Sequence, residues 1–434
     1  MNEIWNPEYE TMTRSELRAL QEKRLQMTLR WVHSSVPFYR ERWQADGIHV
    51  QDIKTLEDVA RLPFTTKDDF KRAYPYGMFA VPLERVIRIH TSSGSPSSPT
   101  VVGFTRGDLN TWAELCARAG TAGGARSHDV VQITFGYGLQ TGALGWHAGL
   151  ERLGATVIPA STGATKRQLV IMRDYHTSVL AGSPFYALHL CDVADELGMD
   201  LSALNLRIAL LGGEPWSDAI RTEIENRLGV QARDTYGVSE VLGPGLSFEC
   251  PAQDGLHVNE DHVLVEVVDP ESGAPLPEGE PGELVFTSLT KEAVPVIRYR
   301  TGDVAAITTQ RCACGRTLVR HTRVQHRCDD MIKVRGVNVF PAQVENVLTA
   351  AEGVPPRFQI VLETRSGLDQ MDVLVPMDPA IFTDDVRRFV DLRRALEERL
   401  ADELAVRAQV RFVEPAGFPA VDEPLARVVD NRRR

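Results

Sequence analysis

The 434-residue chain carries 43% hydrophobic and 25% charged residues, an ordinary balance for a globular protein with room for more than one domain. Its net charge of −11 speaks against a broad nucleic-acid footprint, and no apolar run is long enough for a membrane span. The acidic start, MNEIWNPEYE, lacks the regions of a secretion signal, and six cysteines do not make a disulfide framework; a cytoplasmic address is expected.

In chain order, Thr13 and Glu16 have capping-box spacing and predict a helix with Leu17, Leu20, Met27 and Trp31 on one face. Short apolar runs at 129–135, 155–160, 178–181 and 206–211 read as buried strands. Helical stretches such as 108–119 and 217–228 lie between them, the pattern of a mainly parallel sheet with crossover helices. From 262 to 310 the texture changes: 263–268 and 283–287 read as strands joined by a Pro/Gly-rich turn, a small β-subdomain. After about 330 comes a unit of roughly 100 residues with a helix near 341–350, a strand pair at 358–376, a long helix near 384–405 and a strand at 408–413. The expected fold is α/β, with a large domain over 1–328 and a small α+β lid over 329–434.

Four motifs carry chemistry. His90 to Thr100 (HTSSGSPSSPT) offers hydroxyls and backbone N–H groups to phosphate oxygens, with Ser92, Ser93, Gly94, Ser95 and Thr100 as candidates; read alone it is equally a solvated Ser/Pro loop. Tyr236-Gly237-Val238-Ser239-Glu240 sets a carboxylate beside hydroxyls, which suits Mg²⁺ next to phosphates. Arg298 to Asp303 sets an acid after a glycine turn, fit for ribose hydroxyls or for a salt-bridged turn. Arg327 to Pro341 (RCDDMIKVRGVNVFP) stands at the junction of the two parts, where a hinge belongs.

In this order the motifs resemble the adenylate-forming superfamily of acyl-CoA synthetases, luciferases and adenylation domains, most closely its phenylacetate–CoA ligase branch. Phe135-Gly136-Tyr137-Gly138-Leu139, Gly213-Glu214-Pro215-Trp216 and Val337 to Pro341 support the likeness, which covers nearly the whole chain. The resemblance implies that ATP and a carboxylic acid give an acyl-adenylate and pyrophosphate. The small domain then rotates, and CoA displaces AMP. Ser92–Thr100 would hold the β,γ-phosphates. Gly213, Glu214 and Pro215 would line the adenine, with Tyr236 packing on the base and Gly237 a further cofactor-binding candidate. Glu240 would meet Mg²⁺, Asp303 the ribose, and Arg327 ribose or phosphate. Asp329 would be the hinge and Gly336 would lie near the CoA channel, with Lys333 a further cofactor-binding candidate. Phe135, Tyr137, Ser183 and Gly212 are candidates for the acid pocket, though the aromatics are equally plain core. A homodimer is implied by the resemblance alone.

The chain has 41 arginines and only seven lysines, so departures at lysine positions are easy to see. Where the family's phosphate loop usually has lysine before Pro-Thr, this chain has Ser98. Where the family has Gly-Lys before Arg-Val and Asp, it has Glu423-Pro424-Leu425-Ala426-Arg427-Val428-Val429-Asp430. Proline thus stands in place of the adenylating lysine, and no lysine follows Lys333. Losing a preorganised cation at a developing charge costs several kcal/mol, by analogy with roughly 3–4 for one oxyanion-hole donor. Arg427 is the cation nearest in sequence, and arginine is not an equivalent point charge.

Cys250, His257, Cys312 and Cys314 make a three-thiolate, one-imidazole set suited to structural zinc, or four unrelated side chains, since the spacing is not that of a familiar finger. The expected activity is ATP-dependent activation of an aromatic or arylacetic-type acid and its transfer to CoA. The altered lysines keep two alternatives open: a member that activates another oxyanion, such as nitrite for aryl-amine diazotisation, or runs only a half-reaction; and a non-catalytic nucleotide- or acyl-binding protein.

Overall fold

The computed structural model describes residues 3–91, 100–324, 326–328, 332–335, 337–351, 354–355, 357–365, 368–376, 386–404, 406–414, 418 and 427–432. The backbone packs as two units, residues 1–214 with 224–324, and 215–223 with 325–434. Each has its own hydrophobic core.

In the first unit, nine described strands form one sheet, in the order Ile307–Thr308, Arg320–His321, Leu256–Val258, Gly243–Glu249, Gln231–Val238, Ile208–Gly212, Val179–Gly182, Val130–Ile133 and Thr156–Ile158. From Gln231–Val238 to Thr156–Ile158 every pairing is parallel. Val179–Gly182 and Ile208–Gly212 are buried at every position, as strands covered on both faces must be. The other half is antiparallel. Helices Arg106–Gly123 and Gly142–Leu153 pack tightly together, and the Trp112 indole donates to the Pro244 carbonyl at 2.9 Å. Val263–Val268, Gly282–Ser288 and Tyr299–Ala305 pair antiparallel in that order, which is the expected β-subdomain.

The capping box of helix Arg14–Ser35 is present, but the buried face is not the expected one. Leu17 is buried, whereas Met27 is 60% and Trp31 37% exposed. The face turned inward holds Leu17, Gln21, Leu25, Thr28, Leu29 and Val32. Two polar residues sit within it because each finds a backbone partner: Gln21 Nε2 donates to the Glu260 carbonyl at 2.9 Å, and Thr28 Oγ1 to the Leu289 carbonyl at 2.9 Å. Arg118 lies buried against Asp261 through two bonds of 2.9 and 3.0 Å.

In the second unit, Gln409–Val413, Leu368–Pro376, Gln359–Arg365 and Val428–Asp430 form a mixed sheet with helices Pro341–Thr349 and Val386–Leu404. A hairpin, Ile332–Val334 with Val337–Val339, precedes them. No helix among the described residues is long and apolar enough to cross a membrane.

Candidate active site

The carboxyl end of the parallel strands is where an open α/β sheet places a ligand crevice. Strand Ile208–Gly212 delivers Gly212, Gly213 and Glu214 there. Gly212 is buried so close to the neighbouring strand that a Cβ would run into the Thr235 carbonyl, so only glycine fits. Gly213 is exposed and lies beside Phe135, whose ring a Cβ there would meet at 3.6 Å. Glu214 Oε1 accepts a long bond from the Phe185 N–H, 3.4 Å. Pro215 is counted in the second unit.

On the next strand, the Tyr236 hydroxyl donates to Asp303 Oδ2 at 2.6 Å. Its ring is stacked on Phe286, with centroids 6.2 Å apart, and His321 stands edge-on at 5.2 Å. The residue is half-buried and Gly237 is exposed, so part of this wall faces outward. The expected glycine turn before Asp303 is instead a strand: Tyr299–Ala305 runs through it, and the ladder shifts register opposite Glu283 to Val285. A bulge, not a turn, re-aims Asp303, because an extra residue in one strand bends it locally.

Glu240 is buried just past the strand, and the hydroxyls of neighbouring Ser239 and of Thr141 lie 2.8 Å apart. Sequence reasoning missed two groups here. Lys291 is buried, donates to the Val241 carbonyl at 3.1 Å and sits 4.2 Å from the Phe104 ring centroid. Burial pushes its ammonium down to about 8, against the pull of the Asp108 and Glu240 carboxylates. His321 is the other; burial lowers it to about 4. Its Nδ1 donates to the Thr322 carbonyl at 2.7 Å and its Nε2 accepts from Ser247 at 2.6 Å. Neither residue lies in a motif, so only its lack of solvent marks it.

The three acid-pocket candidates besides Gly212 do not behave alike. Phe135 is half-buried beside Gly213. The Tyr137 hydroxyl is tied to His147 Nδ1 at 3.0 Å on helix Gly142–Leu153, and burial, then Glu151, raises the phenol to about 12. Ser183 caps helix Pro184–Glu196, its oxygen accepting from the Tyr186 N–H. Thr100 is fully buried at the mouth of strand Val101–Phe104, with no hydrogen-bond partner for its hydroxyl among the described residues. Ser92, Ser93, Gly94, Ser95 and Ser98 lie outside the described residues, as do Asp329, Gly336 and Pro424.

In the second unit Arg327 lies on the short strand His326–Arg327, and Lys333 in strand Ile332–Val334. Arg427 heads the last strand, and its Nη1 donates to Glu345 Oε2 at 2.8 Å; that carboxylate is 5% exposed. The Arg427 guanidinium also stands 5.7 Å from the Phe358 ring centroid. The cation nearest position 424 in sequence is thus matched with a buried carboxylate of its own unit.

The AMP-binding enzyme family model matches residues 19–290, and the AMP-binding enzyme C-terminal domain model matches 336–432. A phenylacetate-coenzyme A ligase of Thermus thermophilus is 43% identical over 99% of this chain and 100% of its own length. One of Escherichia coli is 42% identical over 98% and 97%. The chain belongs to the phenylacetate–CoA ligase branch of the adenylate-forming enzymes. Its fold is that of the adenylate-forming enzymes: a 2-hydroxyisobutyryl-CoA ligase crystallised in the postadenylation state with R3-HIB-AMP superposes with a TM-score of 0.91 at 28% identity, over 99% of this chain and 92% of that one. These relatives are named as CoA ligases, which supports an AMP-forming acid–CoA ligase.

Proposed function

We propose that the chain activates an aromatic or arylacetic-type carboxylic acid with ATP and passes the acyl group to CoA. The observation that supports this most directly is the Tyr236–Asp303 bond beside the Gly213 strand end: a flat aromatic edge, a backbone that can be approached closely and a fixed carboxylate suit adenine and ribose. The near full-length likeness to phenylacetate-coenzyme A ligases supports the acid class, and half-buried Phe135 beside Gly213 supplies an apolar wall for it.

In this reading a carboxylate oxygen of the acid attacks the α-phosphorus of ATP and expels pyrophosphate. The CoA sulfur then attacks the acyl carbon and AMP leaves. Asp303 accepts from ribose hydroxyls, Gly213, Glu214 and Pro215 border the adenine, and Ser92 to Thr100 meets the β,γ-phosphates. Buried Glu240, with Ser239 and Thr141 close by, offers the oxygen donors a hard cation prefers. Mg²⁺ held there supplies charge neutralisation for the phosphates. Residues 329–434 act as the mobile domain, with Asp329 as hinge, Arg327 toward ribose or phosphate, and Lys333 and Gly336 toward CoA. With proline at 424 and Arg427 matched to Glu345, adenylation runs without the family lysine, and the first half-reaction is expected to be the slow one.

The test is AMP formation from ATP and Mg²⁺ over benzoic, phenylacetic and cinnamic acids, with and without CoA. Acid-dependent AMP with an acyl-CoA product is the expected result. ATP binding with no AMP from any acid would overturn the proposal.

A further inference from the structure

The first unit also holds a cluster that the acid–CoA chemistry does not use. Cys250 follows strand Gly243–Glu249, and His257 is the middle residue of strand Leu256–Val258. Cys312 and Cys314 lie in the loop between Ile307–Thr308 and Arg320–His321. Arg320 stands opposite His257 in the ladder, so strand register brings the two halves of the cluster to the same sheet edge. All four side chains are buried, at 0%, 0%, 4% and 5% exposure.

We propose that Cys250, His257, Cys312 and Cys314 bind one structural zinc ion. Cys250 Sγ and Cys312 Sγ are 3.7 Å apart, Cys314 Sγ and His257 Nε2 are 3.4 Å apart, and all four donor atoms lie within 4.8 Å of one another. Zinc bonds of about 2.3 Å to sulfur and about 2.05 Å to nitrogen give tetrahedral edges of about 3.8 and about 3.6 Å. The sulfur separation is far beyond the roughly 2.05 Å of a disulfide, and the cysteines are free. Gly315, at φ +93°, lets its N–H return to the Cys312 carbonyl at 3.1 Å, which turns both thiols of the loop toward one point. Three sulfurs and one imidazole complete a four-coordinate shell, so the ion is a staple with no open position for substrate.

The residues just past the cluster show what the staple secures. Arg316, fully buried, donates from Nε to Glu10 Oε2 at 2.6 Å and from Nη2 to the Glu3 carbonyl at 3.1 Å. Thr317 donates its N–H to the Glu10 carbonyl at 3.0 Å and its hydroxyl to the Met12 carbonyl at 2.6 Å. The metal fixes the loop, and the loop clasps residues 3–12.

Two measurements on the full-length chain decide the matter. Protein purified from zinc-supplemented culture is analysed for metal by mass spectrometry, and unfolded, chelated protein is refolded with cobalt. We expect one zinc ion per chain, and a cobalt spectrum with tetrahedral ligand-field bands and thiolate charge-transfer bands. C312S and C314S should each lose the metal while C328S keeps it, and the metal-free protein should be cut faster by protease within residues 3–12. Metal-poor wild-type protein that also yields no thiolate–cobalt bands would overturn the assignment. So would folded C312S and C314S proteins that keep full zinc. Should the serine variants not fold, the wild-type zinc content and cobalt spectrum still decide.

Discussion

In the first unit, the groups we assign to the nucleotide are fixed by neighbours of the same unit: Tyr236 by Asp303 and Phe286, and Gly212 by the Thr235 carbonyl. In the second, the cation nearest in sequence to position 424 is Arg427, which pairs with Glu345. In the function we propose, the binding wall is kept while the adenylating lysine is replaced. A preorganised wall can be kept by packing alone, because each member is held by the fold whether or not turnover is fast. A point charge for a transition state has no such structural reason to persist, since it acts only when charge develops.

The largest expected effect bears on the packing side of this contrast. Replacing Arg118 by alanine takes the two-bond partner from buried Asp261 and leaves it to His262 at 3.2 Å and Arg24 at 4.0 Å. Breaking such a pair costs about 3–5 kcal/mol, read as a lower urea midpoint. An unchanged midpoint would show that the first unit is not held by this pair. Nearly as large is P424K, which restores a lysine to the second unit. Acid-dependent AMP formation should rise on the order of a hundredfold, by analogy with 3–4 kcal/mol for one charge-stabilising donor. No rise would mean that the contrast between the units does not limit adenylation.

The third test uses His321 beside Tyr236. Burial holds its pKa at about 4, below the unfolded value, so between about 6.5 and 4 the unfolded chain binds the extra proton. This contribution is full above that window and is lost as the pH falls through it, to the extent of about 3 kcal/mol. Denaturant titrations from pH 7.5 to 4.5 should show the fall in wild type and a flatter profile in H321N. The smallest effect is that of Y236F, which removes one hydroxyl from Asp303. About 1 kcal/mol of ATP affinity is expected to go, a several-fold rise in Kd by calorimetry. A change of a hundredfold would make the hydroxyl a direct ligand rather than a positioning group.

Much of the fold was legible because apolar runs flanked by turns leave little choice. The runs at 129–135, 155–160, 178–181 and 206–211 became Val130–Ile133, Thr156–Ile158, Val179–Gly182 and Ile208–Gly212. Helix Arg14–Ser35 was legible from its capping box, but its inner face was not. Gln21 and Thr28 go inside because of carbonyls more than 230 residues away, and no local periodicity carries that information. Asp303 was read as following a turn because Gly302 suggested one; a bulge uses the same glycine. Phe135 and Tyr137 read as equivalent aromatics two apart, yet one borders Gly213 and the other binds His147. The cysteines were legible as donors, whereas their convergence needed the Arg320–His257 register.

The clasp of Arg316 on Glu10 joins residues 306 positions apart. During synthesis at about 5–20 residues per second, Glu10 leaves the ribosome roughly 15–60 s before its partner exists. The N-terminal segment therefore waits, with the Leu17–Val32 apolar stripe uncovered, until most of the first unit has been made. Contacts of such long range slow folding and lengthen the interval in which exposed apolar surface can find the wrong partner. For this chain the vulnerable moment is its birth, and whatever closes the 312–319 loop also ends that interval.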